Sequence, residues 1–139
     1  MTRTSRRTIL ADTSAWGEMY RRTGSPIHRA MKQLLDERHP LGVTEPVVME
    51  ILAASRPLRE LAALRRYLLS FRMLRVGGLE TYELAAAIHR ECRAHGETIR
   101  SSIDCLIAAV AIRENVPVLA ADRDFEVIAR HTSLRLEPV

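Results

Sequence analysis

Ile9-Leu10-Ala11-Asp12-Thr13-Ser14 and Val118-Leu119-Ala120-Ala121-Asp122-Arg123 share one layout: a short apolar run, an aspartate, then residues that open a helical pattern. An apolar run this short, bounded by polar residues, reads as a buried strand. In an open α/β sheet, ligands and chemistry collect at the carboxyl ends of the strands. Asp12 and Asp122 would each stand at such an end, 110 residues apart in the chain. Neighbouring strands would bring them into one cleft.

Outward from these two stretches, helices and short strands alternate. Thr8–Ala11 reads as the first strand and Thr13–Arg22 as the first helix, with Trp16, Met19 and Tyr20 at helical spacing. Gly24-Ser25-Pro26 starts a second helix, since Pro is tolerated in a first turn. Leu41–Val43 is a second strand, Glu45–Ala54 and Pro57–Phe71 are helices, and Met73–Val76 is a third strand ended by Gly77-Gly78. Glu80–His95 is a long amphipathic helix that Gly96 closes. Ser101 or Ser102 caps the next, which Asn115 stops; Pro117–Ala120 is a strand, Asp122–His131 a helix and Leu134–Leu136 a last strand. The pattern predicts an α/β fold with a central, mostly parallel sheet flanked by helices on both faces.

The 139 residues make one domain, and 47% hydrophobic content is enough for a core, built from aliphatic side chains because aromatics are only 4%. No apolar stretch approaches the roughly 20 residues of a membrane span. The basic start, Thr2–Arg7, leads into too short an apolar run for a signal peptide, so a cytoplasmic protein is expected. Cys92 and Cys105 lack metal-ligand spacing and read as buried reduced thiols. The five histidines show no paired ligand spacing, and the six glycines form no phosphate loop. Net charge is +4, and 20 of the 21 basic residues are Arg. Setting aside four acids for a site leaves 13 against 21 bases, a formal +8. An acidic hole in a basic surface suits a polyanionic substrate.

Two further acids join the strand-end pair. Glu50 lies mid-helix among Val48, Met49, Ile51 and Leu52, and Asp104 lies in a first turn between Ile103 and Cys105-Leu106. The bland readings are good ones: Asp12 and Asp122 serve as helix N-caps, and the helix dipole favours Asp104. Apolar neighbours nevertheless make full exposure of Glu50 and Asp104 the weaker account. A buried carboxylate needs a partner, either an Arg or a metal. Four acids at one sheet edge suit a hard divalent cation, Mg²⁺ with Mn²⁺ as the alternative. Such ions activate water and stabilise the leaving oxygen at a phosphodiester. Trp16, Met19 and Tyr20 suit base stacking, although one apolar face of a first helix is more often core or dimer interface.

Ile9–Trp16, Glu45–Leu52, Arg100–Ala109 and Ala121–Phe125 together resemble, in order and spacing, the four acidic motifs of PIN-domain nucleases. The resemblance is strongest to the VapC toxins of toxin–antitoxin pairs, including the Gly96-Glu97-Thr98-Ile99-Arg100 stretch before the third motif. It implies a PIN-like fold over residues 8–139; residues 1–7 precede the family's usual start and are expected to form a flexible basic extension. It implies a magnesium-dependent endoribonuclease that cleaves single-stranded RNA (tRNA, rRNA or mRNA) and inhibits translation and growth. A homodimer and a VapB-type antitoxin partner, together forming a hetero-oligomer, are also implied. On this match Asp12, Glu50, Asp104 and Asp122 are the catalytic, metal-binding acids, with Asp124 as an added candidate ligand. Thr13 would orient a water or ligand, and Arg100 would bind phosphate or pair with Glu50 or Asp104. Where relatives often carry Thr two residues before the fourth acid, this chain has Ala120, which removes a support from Asp122. The rival readings are a non-cleaving PIN-like module that binds RNA or protein, and a phosphatase or DNA nuclease.

Overall fold

Ile9, Leu10 and Ala11 are buried without exception, and as strand β1 (Ile9–Ala11) they run through the middle of the sheet. The computed structural model describes residues 6–54 and 57–139. The elements after β1 are α1 (Thr13–Tyr20), α2 (Pro26–Asp36), β2 (Leu41–Val43), α3 (Glu45–Ala53) and α4 (Leu58–Leu68). Then come β3 (Arg72–Met73), α5 (Leu79–Ala94), α6 (Ser102–Glu114), β4 (Val118–Leu119) and α7 (Arg123–His131). The four strands lie in the order β3-β2-β1-β4, all parallel, with Ile9 opposite Leu41 and Ala11 opposite Leu119. Parallel sheets need helical cover on both faces, which explains why β1 and β2 are apolar at consecutive positions. Gly42 in β2 is crowded by residues that flank its two neighbouring strands. A Cβ there would stand 2.8 Å from Leu74 Cδ1 and 3.2 Å from Thr8 Cγ2.

Helix α6 is the central helix. Ile107 to Ala111 are five consecutive buried residues, as expected of a helix with neighbours all round. It packs along α5 and ends where Asn115 takes the left-handed conformation at φ 55°. No helix among the described residues is long and apolar enough to cross a membrane.

Four expectations shift in detail. Helix α1 stops at Tyr20, because Arg22 has φ 51° and cannot continue it. The third strand is Arg72–Met73, not Met73–Val76. Leu74 and Val76 are buried as the pattern requires, but past Leu74 the ladder passes to a side chain: the Val76 N–H donates to Glu45 Oε1 at 2.8 Å. Leu134–Leu136 contributes one isolated parallel bridge, Val118 with Leu136, at the outer edge of β4. Ser101 holds the N-cap position of α6 without a side-chain capping bond. The extension expected before residue 8 lies mostly outside the described residues; within them, Arg6 donates to the Glu37 carbonyl at 2.9 Å.

Candidate metal centre

Strands β1 and β4 are neighbours, and the Asp12 N–H donates to the Leu119 carbonyl at 2.9 Å. The pairing therefore carries Asp12 and Asp122 to the same edge, the carboxyl end of the sheet. Both are N-caps. Asp12 Oδ2 accepts the N–H of Ser14 at 3.0 Å and its hydroxyl at 2.6 Å. Asp122 Oδ1 accepts the N–H of Asp124 at 2.9 Å. Capping uses one oxygen of each carboxylate. The second oxygen of Asp12, Oδ1, is buried with no hydrogen-bond partner, in a residue only 3% exposed.

Helix α6 delivers Asp104 in its first turn, 5% exposed, and Asp104 Oδ2 is likewise buried and unpartnered. One carboxylate oxygen from each of Asp104, Asp122 and Asp124 lies within 4.8 Å of the other two. Asp124 thus stands among the acids by position. Asp12 and Glu50 fall outside that tight trio but act on it. Burial pushes the Asp104 carboxyl up to about 8, and the charges of Asp12, Asp122, Asp124 and Glu50 push in the same direction. Burial also raises Asp12, against the lowering pull of its bonds to Ser14, and Glu50 adds to the rise. All five acids therefore share one field.

Glu50, on α3, is half-buried and accepts the Thr13 hydroxyl at 2.7 Å through Oε1. The sequence offered Thr13 as an orienting hydroxyl for a water or ligand; here it orients Glu50. Arg100 is exposed, and it makes neither an ion pair nor a hydrogen bond among the described residues. The pairing expected with Glu50 or Asp104 does not form, since Arg100 lies in the loop before α6 with its side chain in solvent. No ion pair among the described residues involves any of the five acids.

Ser14, to which the sequence assigns no role, links two parts of the site. Its Oγ gives its proton to Asp12 and accepts the Ala121 N–H at 2.8 Å, pinning the turn after β4 to the start of α1. This bond supports the approach to Asp122, where Ala120 has no hydroxyl to offer. A serine two residues after an aspartate signals the local bond, whereas the contact with Ala121 spans 107 residues and has no local signature.

Buried carboxylate oxygens without partners, three acids converging and no cation nearby are a poor arrangement for an apo site and a good one for a hard divalent ion. Oxygen-only donors suit magnesium or manganese better than soft metals. The residues fit the ion.

Fold and site together define a class. The PIN-domain family model matches residues 9–131, and the chain belongs to the PIN-domain family. Within it, the chain is 41% identical over 128 residues to Ribonuclease VapC11 of Mycobacterium tuberculosis, covering 91% of this chain and 96% of the relative. It is equally similar to VapC ribonuclease Mb1587 of Mycobacterium bovis, again 41% over 128 residues and the same shares. The fold matches that of VapBC2 from Rickettsia felis, solved bound to a promoter DNA fragment. The TM-score is 0.72 at 16% identity, covering 94% of this chain and 98% of the other.

Proposed function

We propose that this chain is a metal-dependent endoribonuclease, the toxin of a VapBC-type toxin–antitoxin pair, which hydrolyses phosphodiester bonds in single-stranded RNA. The reading rests first on Asp104: a buried carboxyl with an orphaned oxygen, facing four other acids and no cation. The two 41% identical relatives named as VapC ribonucleases support the substrate class. The VapBC2 structure shares the fold, and a small VapB-type antitoxin is the corresponding partner for this chain.

Asp104, Asp122 and Asp124, with Asp12 and Glu50 beside them, are the residues that would hold the metal, Mg²⁺ or Mn²⁺. Bound there, a divalent ion supplies Lewis acidity for water attack at phosphorus and charge for the leaving oxygen. The chain's own residues do the remaining work. Ser14 fixes Asp12 in orientation, and the Asp124 N–H fixes Asp122. Thr13 holds Glu50 beside the cluster, where its carboxylate can take a proton from water. The exposed guanidinium groups of Arg100 and Arg123 flank the acids in sequence and serve to hold the RNA backbone. The products are a 5′-phosphate and a 3′-hydroxyl, and cleavage of cellular RNA stops translation and growth. The working assembly is a homodimer that the antitoxin inhibits.

The test is RNA cleavage by purified wild type and Asp104→Asn, each with Mg²⁺, Mn²⁺ or a chelator. Wild type cleaves with metal only, and the variant does not cleave while melting cooperatively. Full cleavage by Asp104→Asn overturns the reading. RNA binding without any cleavage by wild type would favour a non-cleaving module.

A further inference from the structure

A cavity of about 580 Å³ lies between the second half of α5 and the start of α6. One wall is α6, beginning with Ser102 and Ile103, the two residues before Asp104. The cavity and the acid cluster therefore share the first turn of that helix. The opposite wall is α5, where His89, Arg90 and Arg93 stand on neighbouring turns. Arg90 and Arg93 are exposed, and His89 is half-buried. None of the three side chains makes an ion pair or a hydrogen bond among the described residues. Cations elsewhere do: Lys32 holds Asp36, Arg113 holds Glu114 and Arg130 holds Glu97. No acid lines the cavity among the described residues. Glu91, which lies between the two arginines in sequence, faces His95 instead at 3.5 Å.

We infer that the groove between α5 and α6 is a track for the RNA backbone, with Arg90 and Arg93 on phosphates next to the scissile one. The inference rests on the RNA-cleaving reading and deepens it. A phosphodiester held at the acids brings its neighbours in the strand with it. Those phosphates need countercharge outside the acidic field, and this groove supplies it. The guanidinium fork matches phosphate oxygens. Ser102 adds a hydroxyl donor at the rim. The amino end of α6, which no side chain caps, adds partial positive charge. Arg100, exposed and two residues before Ser102, extends the same cationic line. Single strands bind along positively charged grooves that follow the backbone. Such contacts position the strand and read no sequence.

Because backbone contacts read no sequence, an arbitrary dye-labelled single-stranded RNA serves as the probe. Its binding is followed by anisotropy across a salt series, with Mg²⁺ and the Asp104→Asn chain, which binds without cutting. Each phosphate contact to a single strand contributes about 0.7 to the slope of log K against log salt. Arg90→Gln and Arg93→Gln are each expected to lower that slope by about 0.7, and the double variant by about 1.4. Lys32→Gln, which removes one charge from α2, leaves the slope unchanged. Arg90→Lys with Arg93→Lys keeps both charges and the slope. The track is overturned if the double Gln variant keeps the parent slope. It is also overturned if Lys32→Gln lowers the slope as much as either Arg variant, which leaves net charge as the whole effect. Loss of antitoxin binding with RNA binding intact overturns it as well, assigning the groove to the protein partner. Wild type that neither binds nor cleaves RNA overturns the RNA reading itself, and this inference with it.

Discussion

The two ends of α7 carry charge in opposite ways. At its carboxyl end, Arg130 and His131 both bond Glu97, at 2.6 Å and 2.5 Å, and the His131 ring stacks on His95 at 4.3 Å. The bond from His131, then that from Arg130, pull the Glu97 carboxyl below its usual value. At its amino end, Asp122 and Asp124 meet Asp104 with no cation among them. The helix dipole favours both arrangements, so it does not distinguish them. What differs is satisfaction. The paired end is a finished structural contact, whereas the unpaired end stores repulsion that a bound cation would relieve. A cluster of acids becomes informative when its charges lack the partners that comparable charges nearby possess.

The contrast can be broken most severely at Asp104. Asp104→Asn is expected to cut RNA cleavage by roughly a hundredfold or more, comparable to removing a preorganised charge contact elsewhere. Above about pH 8, where Asp104 is ionised and repels its neighbours, the metal-free variant should melt no lower than wild type. A clearly lower melting temperature, measured without metal, would show that Asp104 is a structural contact like Glu97.

Ser14→Ala comes next. It removes the hydroxyl between Asp12 and Ala121. Cleavage is expected to fall by about 10- to 100-fold, as for residues that orient metal ligands, and stability by about 1–3 kcal/mol. Denaturant melts and metal titrations measure the two separately.

The pH dependence of stability is a smaller effect. Asp104 is raised from 3.8 to about 8, and Asp12 is raised as well. Between those values the folded state binds the proton that the unfolded chain has lost. The stability that protonated Asp104 provides is complete below pH 3.8 and is lost as pH rises through about 8. Metal-free wild type should therefore lose melting temperature from pH 6 to pH 9 more steeply than Asp104→Asn. Saturating Mg²⁺ or Mn²⁺ should flatten or reverse the trend. Parallel slopes for the two proteins would refute the assignment.

The smallest effect belongs to the paired end. Glu97→Gln should lower the melting temperature slightly, less so in high salt, and leave cleavage within twofold. A large loss of cleavage would mean that the two ends of α7 are coupled.

The sequence revealed most where burial and periodicity coincide. Strands β1 and β2, and helix α6, were legible because their apolar runs have the length and surroundings of buried elements. The third strand was displaced because hydrophobicity reports burial and not pairing: Leu74 and Val76 are buried, yet Val76 bonds a Glu45 carboxylate. Among the candidate acids, the gathering of Asp12, Asp104 and Asp122 at one sheet edge was legible from strand ends and apolar neighbours. Asp124 was a candidate without a fixed role, ligand or helix cap, because sequence does not say where a first turn points its acid; the fold brings it within 4.8 Å of Asp104 and Asp122. The bond from Thr13 to Glu50 and that from Ala121 to Ser14 cross 37 and 107 residues, and only the fold creates them.

Strand β1 is made first but sits inside the sheet, with β4 as its neighbour on one side. Synthesis runs from the amino end, at about 5–20 residues per second. Asp12 leaves the ribosome early and then waits while more than a hundred residues are added before Asp122 and Asp124 exist. No nascent fragment ending short of β4 contains the acid trio. Closure of the acid trio is therefore a late event of chain growth, set by the place of β4 in the sheet and not by the strength of any one contact.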